Sequence, residues 1–261
     1  MILDSTLWFA GAAAEAVVVV LLARRRAWRT LPVFCLYSLW TLISDTGDYA
    51  VKSYFPSSYF TTYFVGAIID SLLQFSVLVE LAWSVLRPIR SSLPRKSLLV
   101  VAVVILIAAV AVWPFSGIHG LATLSPQLRY LVRGQQTVAI LRIIFFLVLA
   151  GSSQLFSIGW RDRELQVATG LGFYSIVSVS VEVLQSHQGI AQYAHLNQAV
   201  IAGYICSLLY WIFSFATQEA KRREFTPQMQ SLLLAVAGSA RATRMAMTDS
   251  PPDRHKEPRE P

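Results

Sequence analysis

Five ionisable side chains lie within long apolar stretches of the chain, where charge is expensive. They are Glu15, Asp45, Asp70, Arg142 and Glu182. On a membrane-insertion scale, each would cost about 3 kcal/mol if it were isolated at the centre of a bilayer, so exposure to lipid is not credible. Counting the helical rise from the outer end of each stretch places all five roughly 6 to 12 Å deep. The sequence therefore predicts one polar cluster in the outer half of a membrane protein, where these side chains face one another or water.

Helical spacing supports a shared polar interior, because residues three, four and seven positions apart lie on one face of a helix. Four of the predicted helices carry such polar stripes. The stripes are Ser38, Thr41, Asp45 and Asp48; Asp70 and Gln74; Ser175, Ser178, Glu182 and Gln185; and Asn197, Tyr204, Ser207, Trp211 and Ser214. We expect these four faces to meet inside a helical bundle.

The cluster holds four carboxylates and one guanidinium, so part of its negative charge must be protonated, solvated or bound to a cation. One interpretation is an outward-facing pocket that takes a small cationic ligand or a proton, with ring faces available for cation–π contact. Its candidate ligand-binding residues are Asp45, Asp70, Arg142, Glu182, Glu15, Gln74, Tyr204 and Trp211. The alternative is a satisfied interhelical network that only holds the bundle together. The sequence leaves both open.

Composition indicates that lipid is the main solvent of this chain. Of its 261 residues, 55% are hydrophobic and 14% are charged, and the mean hydropathy is +0.52, whereas soluble domains carry about a quarter charged residues. The net charge of +7 comes from basic residues between apolar stretches, which is typical of membrane orientation signals rather than nucleic-acid binding. We expect no nucleic-acid partner.

The fold class predicted is an all-α integral membrane protein, a bundle of seven transmembrane helices. The spans lie at roughly 7 to 23, 31 to 51, 62 to 86, 98 to 114, 136 to 158, 165 to 186 and 197 to 217. The fourth span has almost no polar side chain, which predicts a peripheral, lipid-facing helix. Glu80 lies near the inner end of span three, where we expect it to reach the interface or pair with loop arginines.

Lysine and arginine residues predict an N-terminus outside the cell and a C-terminus in the cytoplasm. Thirteen of them follow the odd-numbered spans: Arg24, Arg25, Arg26, Arg29, Arg87, Arg90, Arg95, Lys96, Arg161, Arg163, Lys221, Arg222 and Arg223. Three lie on the opposite side: Lys52, Arg129 and Arg133. This distribution predicts a multi-pass protein of the cell inner membrane.

We divide the chain into three parts. We expect residues 1–220 to form the transmembrane domain and 221–247 to form a cytoplasmic juxtamembrane amphipathic segment, with apolar residues at helical spacing and arginines near its end. This segment is either a helix on the inner leaflet or a loosely ordered tail that packs under the bundle. Residues 248–261 are polar and proline-rich, which predicts a disordered tail.

The signatures of common membrane catalysts and cofactor sites are absent from the sequence. Span seven has no lysine for a retinal Schiff base, and there is no phosphate loop, dinucleotide fingerprint or serine–histidine–acid arrangement. We therefore lean against an enzyme and expect no cofactor and no metal. The function favoured by the sequence is a receptor-like or sensor protein that recognises a small ligand from outside and acts through a membrane or cytoplasmic signalling partner. The alternative is a small secondary carrier or proton-coupled transporter that uses the intramembrane carboxylates.

Overall fold

Seven α-helices and two short 3-10 turns make up the computed structural model, which describes residues 2–85, 97–116, 126–151, 162–187 and 193–217. The helices are α1 (Ile2–Arg24), α2 (Pro32–Tyr54), α3 (Tyr59–Val85), α4 (Ser97–Val112), α5 (Pro126–Gly151), α6 (Arg163–His187) and α7 (Tyr193–Ala216). No β-strand occurs in these ranges. The all-helical class predicted from the sequence is confirmed for this part of the chain.

Six of the helices are long and apolar enough to cross a membrane, and α2 is the exception. It is 23 residues long, but its polar residues, including Ser38, Thr41, Asp45 and Asp48, lower its mean hydropathy. The multi-pass character of the protein is thus supported, while the count of seven spans stays a prediction.

Six helices form a closed ring, and α4 lies outside it. Around the ring, α1 packs against α2, α2 against α3, α3 against α5, α5 against α6, α6 against α7 and α7 against α1. The helix α4 contacts α3 and α5, and none of the residues Leu98–Phe115 is buried. The predicted peripheral position of the fourth span is therefore confirmed.

A hydrophobic core fills one end of the ring, where α1, α3 and α7 end and α2 and α6 begin. Its buried side chains include Leu22, Phe34, Leu81, Leu165 and Phe215. In a bilayer such side chains stabilise the bundle through close van der Waals packing rather than through removal from water. We call this the closed end and the opposite one the open end.

At the closed end, the side chain of Glu80 caps the N-terminus of the neighbouring helix α2. Both carboxylate oxygens of Glu80 on α3 accept hydrogen bonds, at 2.8 Å each, from the backbone N–H groups of Val33 and Phe34. These N–H groups belong to the first turn of α2, where backbone N–H groups have no acceptor within their own helix. Glu80 thus caps a neighbouring helix, and its expected pairing with loop arginines stays a prediction, since Arg87, Arg90 and Arg95 lie outside the described residues.

Two predicted segments, 221–247 and 248–261, lie outside the described residues, as does the side chain of Gln185.

Candidate binding site

A cavity of about 330 Å³ occupies the open half of the ring. All six ring helices contribute to its wall, in chain order through Glu15, Asp45, Asp70, Gln135, Tyr174 and Tyr204. Each of these helices turns a polar or aromatic residue inward, because the same side chain on the outer face would meet lipid. The cavity is therefore the place where the polar stripes of the sequence meet.

Four carboxylates line the cavity: Glu15, Asp45, Asp48 and Asp70. No lysine or arginine is among its described lining residues. Glu15 is only 2% exposed, whereas Asp45 is exposed to the cavity. The wall is thus rich in carboxyl groups, with one acid deep in the protein and another accessible to a ligand.

The side chain of Glu15 is only partly satisfied. Its Oε1 accepts a 2.6 Å hydrogen bond from the hydroxyl group of Tyr204. Its Oε2 is buried and has no hydrogen-bond partner among the described residues. The carboxyl group of Asp45, on the neighbouring helix α2, interacts with it electrostatically. A buried acid without a complete set of partners favours a proton or a cation close by.

Asp70 is oriented by its own helix. The amide nitrogen Nε2 of Gln74, one turn further along α3, donates a 2.6 Å hydrogen bond to Asp70 Oδ2. Both side chains line the cavity. The i, i+4 pair therefore fixes the carboxylate of Asp70 on the wall.

Aromatic rings form much of the remaining wall. They are Trp8, Tyr37, Tyr63, Tyr174 and Tyr204. Trp8 is stacked on Tyr49, with ring centroids 4.3 Å apart, and Tyr174 meets Tyr204 edge-on at 5.3 Å. These contacts hold the rings in place. Aromatic faces beside carboxylates attract organic ammonium groups.

Arg142 lies behind this wall instead of on it. Its guanidinium carbon is 5.6 Å from the ring centroid of Tyr174, and the side chain is 5% exposed. Glu182 lies on the same side and interacts with Gln136 and Arg142. The positive charge is thereby separated from the cavity by an aromatic ring, so a cationic ligand does not meet it directly.

Trp211 lies deeper, toward the closed end. Its ring is edge-on to Phe34 with centroids 5.2 Å apart, and its indole nitrogen donates a 3.3 Å hydrogen bond to the carbonyl oxygen of Gln166. It borders a separate void of about 10 Å³ below Glu15, which is about the space that one water molecule needs. Trp211 therefore belongs to the floor beneath the site.

The eight predicted residues thus fall into three groups. Those that line the cavity are Glu15, Asp45, Asp70, Gln74 and Tyr204. Arg142 and Glu182 lie behind its wall, and Trp211 lies below it.

Sequence reasoning missed most of the aromatic lining, although a signal was present. Trp8 precedes Glu15 by seven residues, and Tyr63 precedes Asp70 by seven, which places each ring on the same helix face as its acid. Tyr37 precedes Thr41, another lining residue, by four. A search for aromatic residues seven positions before an acid would have found Trp8 and Tyr63.

In the described ranges, no group of three or more histidine, cysteine, aspartate or glutamate side chains is placed to hold a metal ion. Comparisons of the chain with protein-family models, with characterised proteins and with solved structures find no match.

Proposed function

We propose that this protein binds a small organic cation in the open cavity and acts as a receptor or sensor through a membrane partner. It does so as a seven-span inner-membrane protein whose N-terminus and open end face outward. The ligand carries an ammonium group, which is attracted both by carboxylates and by aromatic faces.

One observation carries this proposal: four carboxylates and five aromatic rings line one cavity, and none of the described lining residues is basic. A structural network would pair its acids with cations, since an unpaired buried charge is costly. Among the described residues, the guanidinium of Arg142 interacts with Asp70 from behind Tyr174, and it is one positive charge beside four carboxyl groups. A bound cation would supply the missing positive charge.

The position of α2 supports the proposal that this helix also crosses the membrane, which brings the number of spans to seven. This helix packs between α1 and α3 in the ring, and its polar residues Thr41, Ser44, Asp45 and Asp48 line the cavity. A helix can cross a membrane with such residues when they face a water-filled interior rather than lipid. The excess of basic residues after the odd-numbered spans supports the outward orientation of the open end.

The binding test uses a variant that fills the cavity. Gly11 is buried and lines the cavity, and a Cβ atom at this position would meet no heavy atom within 4 Å. In Gly11→Leu the Cβ atom therefore enters open space, and we expect the rest of the side chain to take up volume of the cavity. Gly134→Leu is the matched control, because Gly134 is equally unobstructed and lines neither this cavity nor the void below it.

Calorimetric titration of the protein in lipid nanodiscs with propylamine and tetramethylammonium measures the dissociation constants. We expect binding by the wild type and by Gly134→Leu, and an affinity at least about tenfold weaker in Gly11→Leu, which corresponds to the loss of 1.4 kcal/mol. Absence of binding by the wild type, or equal binding by all three proteins, would refute the proposal.

A second function, cation transport in exchange for protons, is favoured by the pair of acids Glu15 and Asp45 on neighbouring helices. Two interacting carboxyl groups at one site bind a proton and a cation in competition. Proteoliposomes loaded with a pH indicator distinguish the two functions. Propylamine-driven proton movement that disappears in Glu15→Gln would establish the carrier, and binding without any flux would favour the receptor.

A further inference from the structure

A groove on the outside of the ring adjoins the cavity. It lies between α2 and α3, has a volume of about 430 Å³ and is lined mostly by apolar surface. Its wall includes Trp40, Ile43, Gly47, Asp48, Val65 and Gly66. Ile43 is 55% exposed and Val65 is 49% exposed. Because both helices belong to the transmembrane bundle, this groove faces the hydrocarbon of the bilayer.

Three residues belong to both the groove and the cavity: Ser44, Asp48 and Gly66. The partition between the two spaces is thin at Gly66, where a Cβ atom would lie 3.3 Å from the Oγ atom of Ser44. Glycine at this point lets α2 and α3 approach closely where the polar interior adjoins the apolar exterior. The cavity and the groove are therefore neighbouring compartments with opposite polarity.

We propose that the ligand is an amphiphilic amine whose ammonium group lies among the carboxylates of the cavity and whose alkyl chain lies in the α2–α3 groove. This inference rests on the proposed function and names the substrate class of that site. Asp48, at the junction of the two compartments, contacts the ligand where its polar head joins its chain.

The direction of the groove fits a molecule that arrives from the outer leaflet. Asp48 and Trp40 are eight residues apart on α2, so the groove descends about 12 Å from the head-group position toward the middle of the bilayer. A lipid-like amine in the outer leaflet has the same orientation, with its charge near the surface and its chain pointing inward. The ligand can enter sideways from the membrane, and the acids of the cavity would draw its charged end through the junction.

The test fills the groove without touching the cavity. Gly47 lines the groove and not the cavity, and a Cβ atom at this position would meet no heavy atom within 4 Å. In Gly47→Leu the Cβ atom therefore enters open space, and we expect the rest of the side chain to take up volume of the groove. The change also removes a helix-destabilising glycine. Gly134→Leu, outside both compartments, again serves as the matched control.

Dissociation constants for propylamine and decylamine are measured by calorimetry on each variant in nanodiscs of one lipid composition, with the heat for empty nanodiscs subtracted. Decylamine also partitions into the lipid of the nanodiscs, but the amount taken up by the lipid is the same for every variant. The informative quantity is therefore the dissociation constant of one amine for the variant divided by its dissociation constant for the wild type. In Gly47→Leu we expect decylamine to bind about tenfold more weakly, because its chain loses its packing contacts, and propylamine to bind as in the wild type.

Equal decylamine affinity in Gly47→Leu and the wild type, with propylamine still bound, would overturn the inference while the proposed function stands. That result would mean that ordinary lipid fills the groove. A parallel loss of both amines would also overturn it, since the groove would then not distinguish the chain from the head. If the wild type binds neither amine, the proposed function and this inference fall together.

Discussion

The hydroxyl group of Tyr204 on α7 donates a 2.6 Å hydrogen bond to Oε1 of Glu15 on α1. This contact joins the first and the last helix of the ring, 189 positions apart in the chain. It also satisfies one oxygen of an acid that is 2% exposed. The bond thus stabilises the closure of the ring and orients a cavity-lining acid at the same time.

Removing this hydroxyl group should destabilise the protein. Tyr204→Phe leaves Oε1 of Glu15 without the hydrogen bond from Tyr204, and the loss of a partner costs about 1 to 3 kcal/mol for a buried polar group. Unfolding by SDS in mixed micelles measures the loss. Tyr210→Phe is the control, because the Tyr210 hydroxyl, on the same helix, has no hydrogen-bond partner within the described ranges. Equal free energies of unfolding for the two variants would contradict the importance of this bond.

Arg142 and Glu182 should be energetically coupled. Both are in the interior, Glu182 interacts with Arg142, and two guanidinium nitrogens of Arg142 have no hydrogen-bond partner among the described residues. Removing one of the two charges leaves the other buried without its partner, so Arg142→Met and Glu182→Gln should each destabilise the protein. The double variant should lose less than the sum of the two, by about 1 to 2 kcal/mol.

The control for this cycle combines Arg142→Met with Glu164→Gln. Glu164 is buried at the closed end, where its Oε1 accepts a hydrogen bond from Ser84, so its effect should add to that of Arg142→Met. If the Arg142 and Glu182 changes are also additive, the guanidinium has its main charge partner elsewhere, and Asp70, with which it also interacts, would be the next to test.

Glu80 should hold the start of α2 in place. In Glu80→Ala the N–H groups of Val33 and Phe34 lose their acceptors, and we expect a loss of about 2 kcal/mol or more, since hydrogen bonds to a charged group are worth about 1.5 to 3 kcal/mol. Hydrogen exchange at these two amides should accelerate. The control is Ser76→Ala, one turn away on α3, which removes a hydroxyl group whose hydrogen bond, among the described residues, is to the Leu72 carbonyl oxygen of its own helix. Unchanged exchange at Val33 and Phe34 in Glu80→Ala would rule out the capping role.

The helical class and the peripheral α4 could be predicted from sequence because each depends on one helix at a time. Apolar length determines whether a helix can span, and a helix without polar side chains, such as residues 98–112, needs no protein neighbour to shield it. Glu15, Asp45 and Asp70 share the cavity for a related reason. Their common depth follows from counting along each helix, and the cost of lipid exposure directs them inward.

Contacts between helices could not be predicted in the same way. Helical spacing placed Trp211 on the polar face of α7, but it did not reveal that this ring lies below the cavity, against Phe34. Nor could it show that Tyr174 separates Arg142 from the cavity, since this depends on how α5 and α6 pack. The capping of α2 by Glu80 spans 47 residues of sequence, and no local pattern encodes it.

Gly170 should be intolerant of even one added methyl group, because α6 and α7 approach closely there. A Cβ atom at Gly170 would collide with the indole ring of Trp211, which is 4% exposed and bound to the Gln166 carbonyl oxygen. The ring cannot move without losing that bond and its contact with Phe34. We therefore expect Gly170→Ala to destabilise the protein by about 1 to 3 kcal/mol, as overpacking of a core does.

The matched control is expected to change the free energy of unfolding in the opposite direction. Gly134→Ala adds the same methyl group to a helix position with no heavy atom within 4 Å, so it should stabilise the protein by about 0.5 to 1 kcal/mol through helix propensity alone. Unfolding in mixed micelles measures both variants. Stabilisation by both would show that α6 and α7 can separate at Gly170. The floor beneath Glu15 would then be deformable, and the cavity would have room to extend toward the closed end.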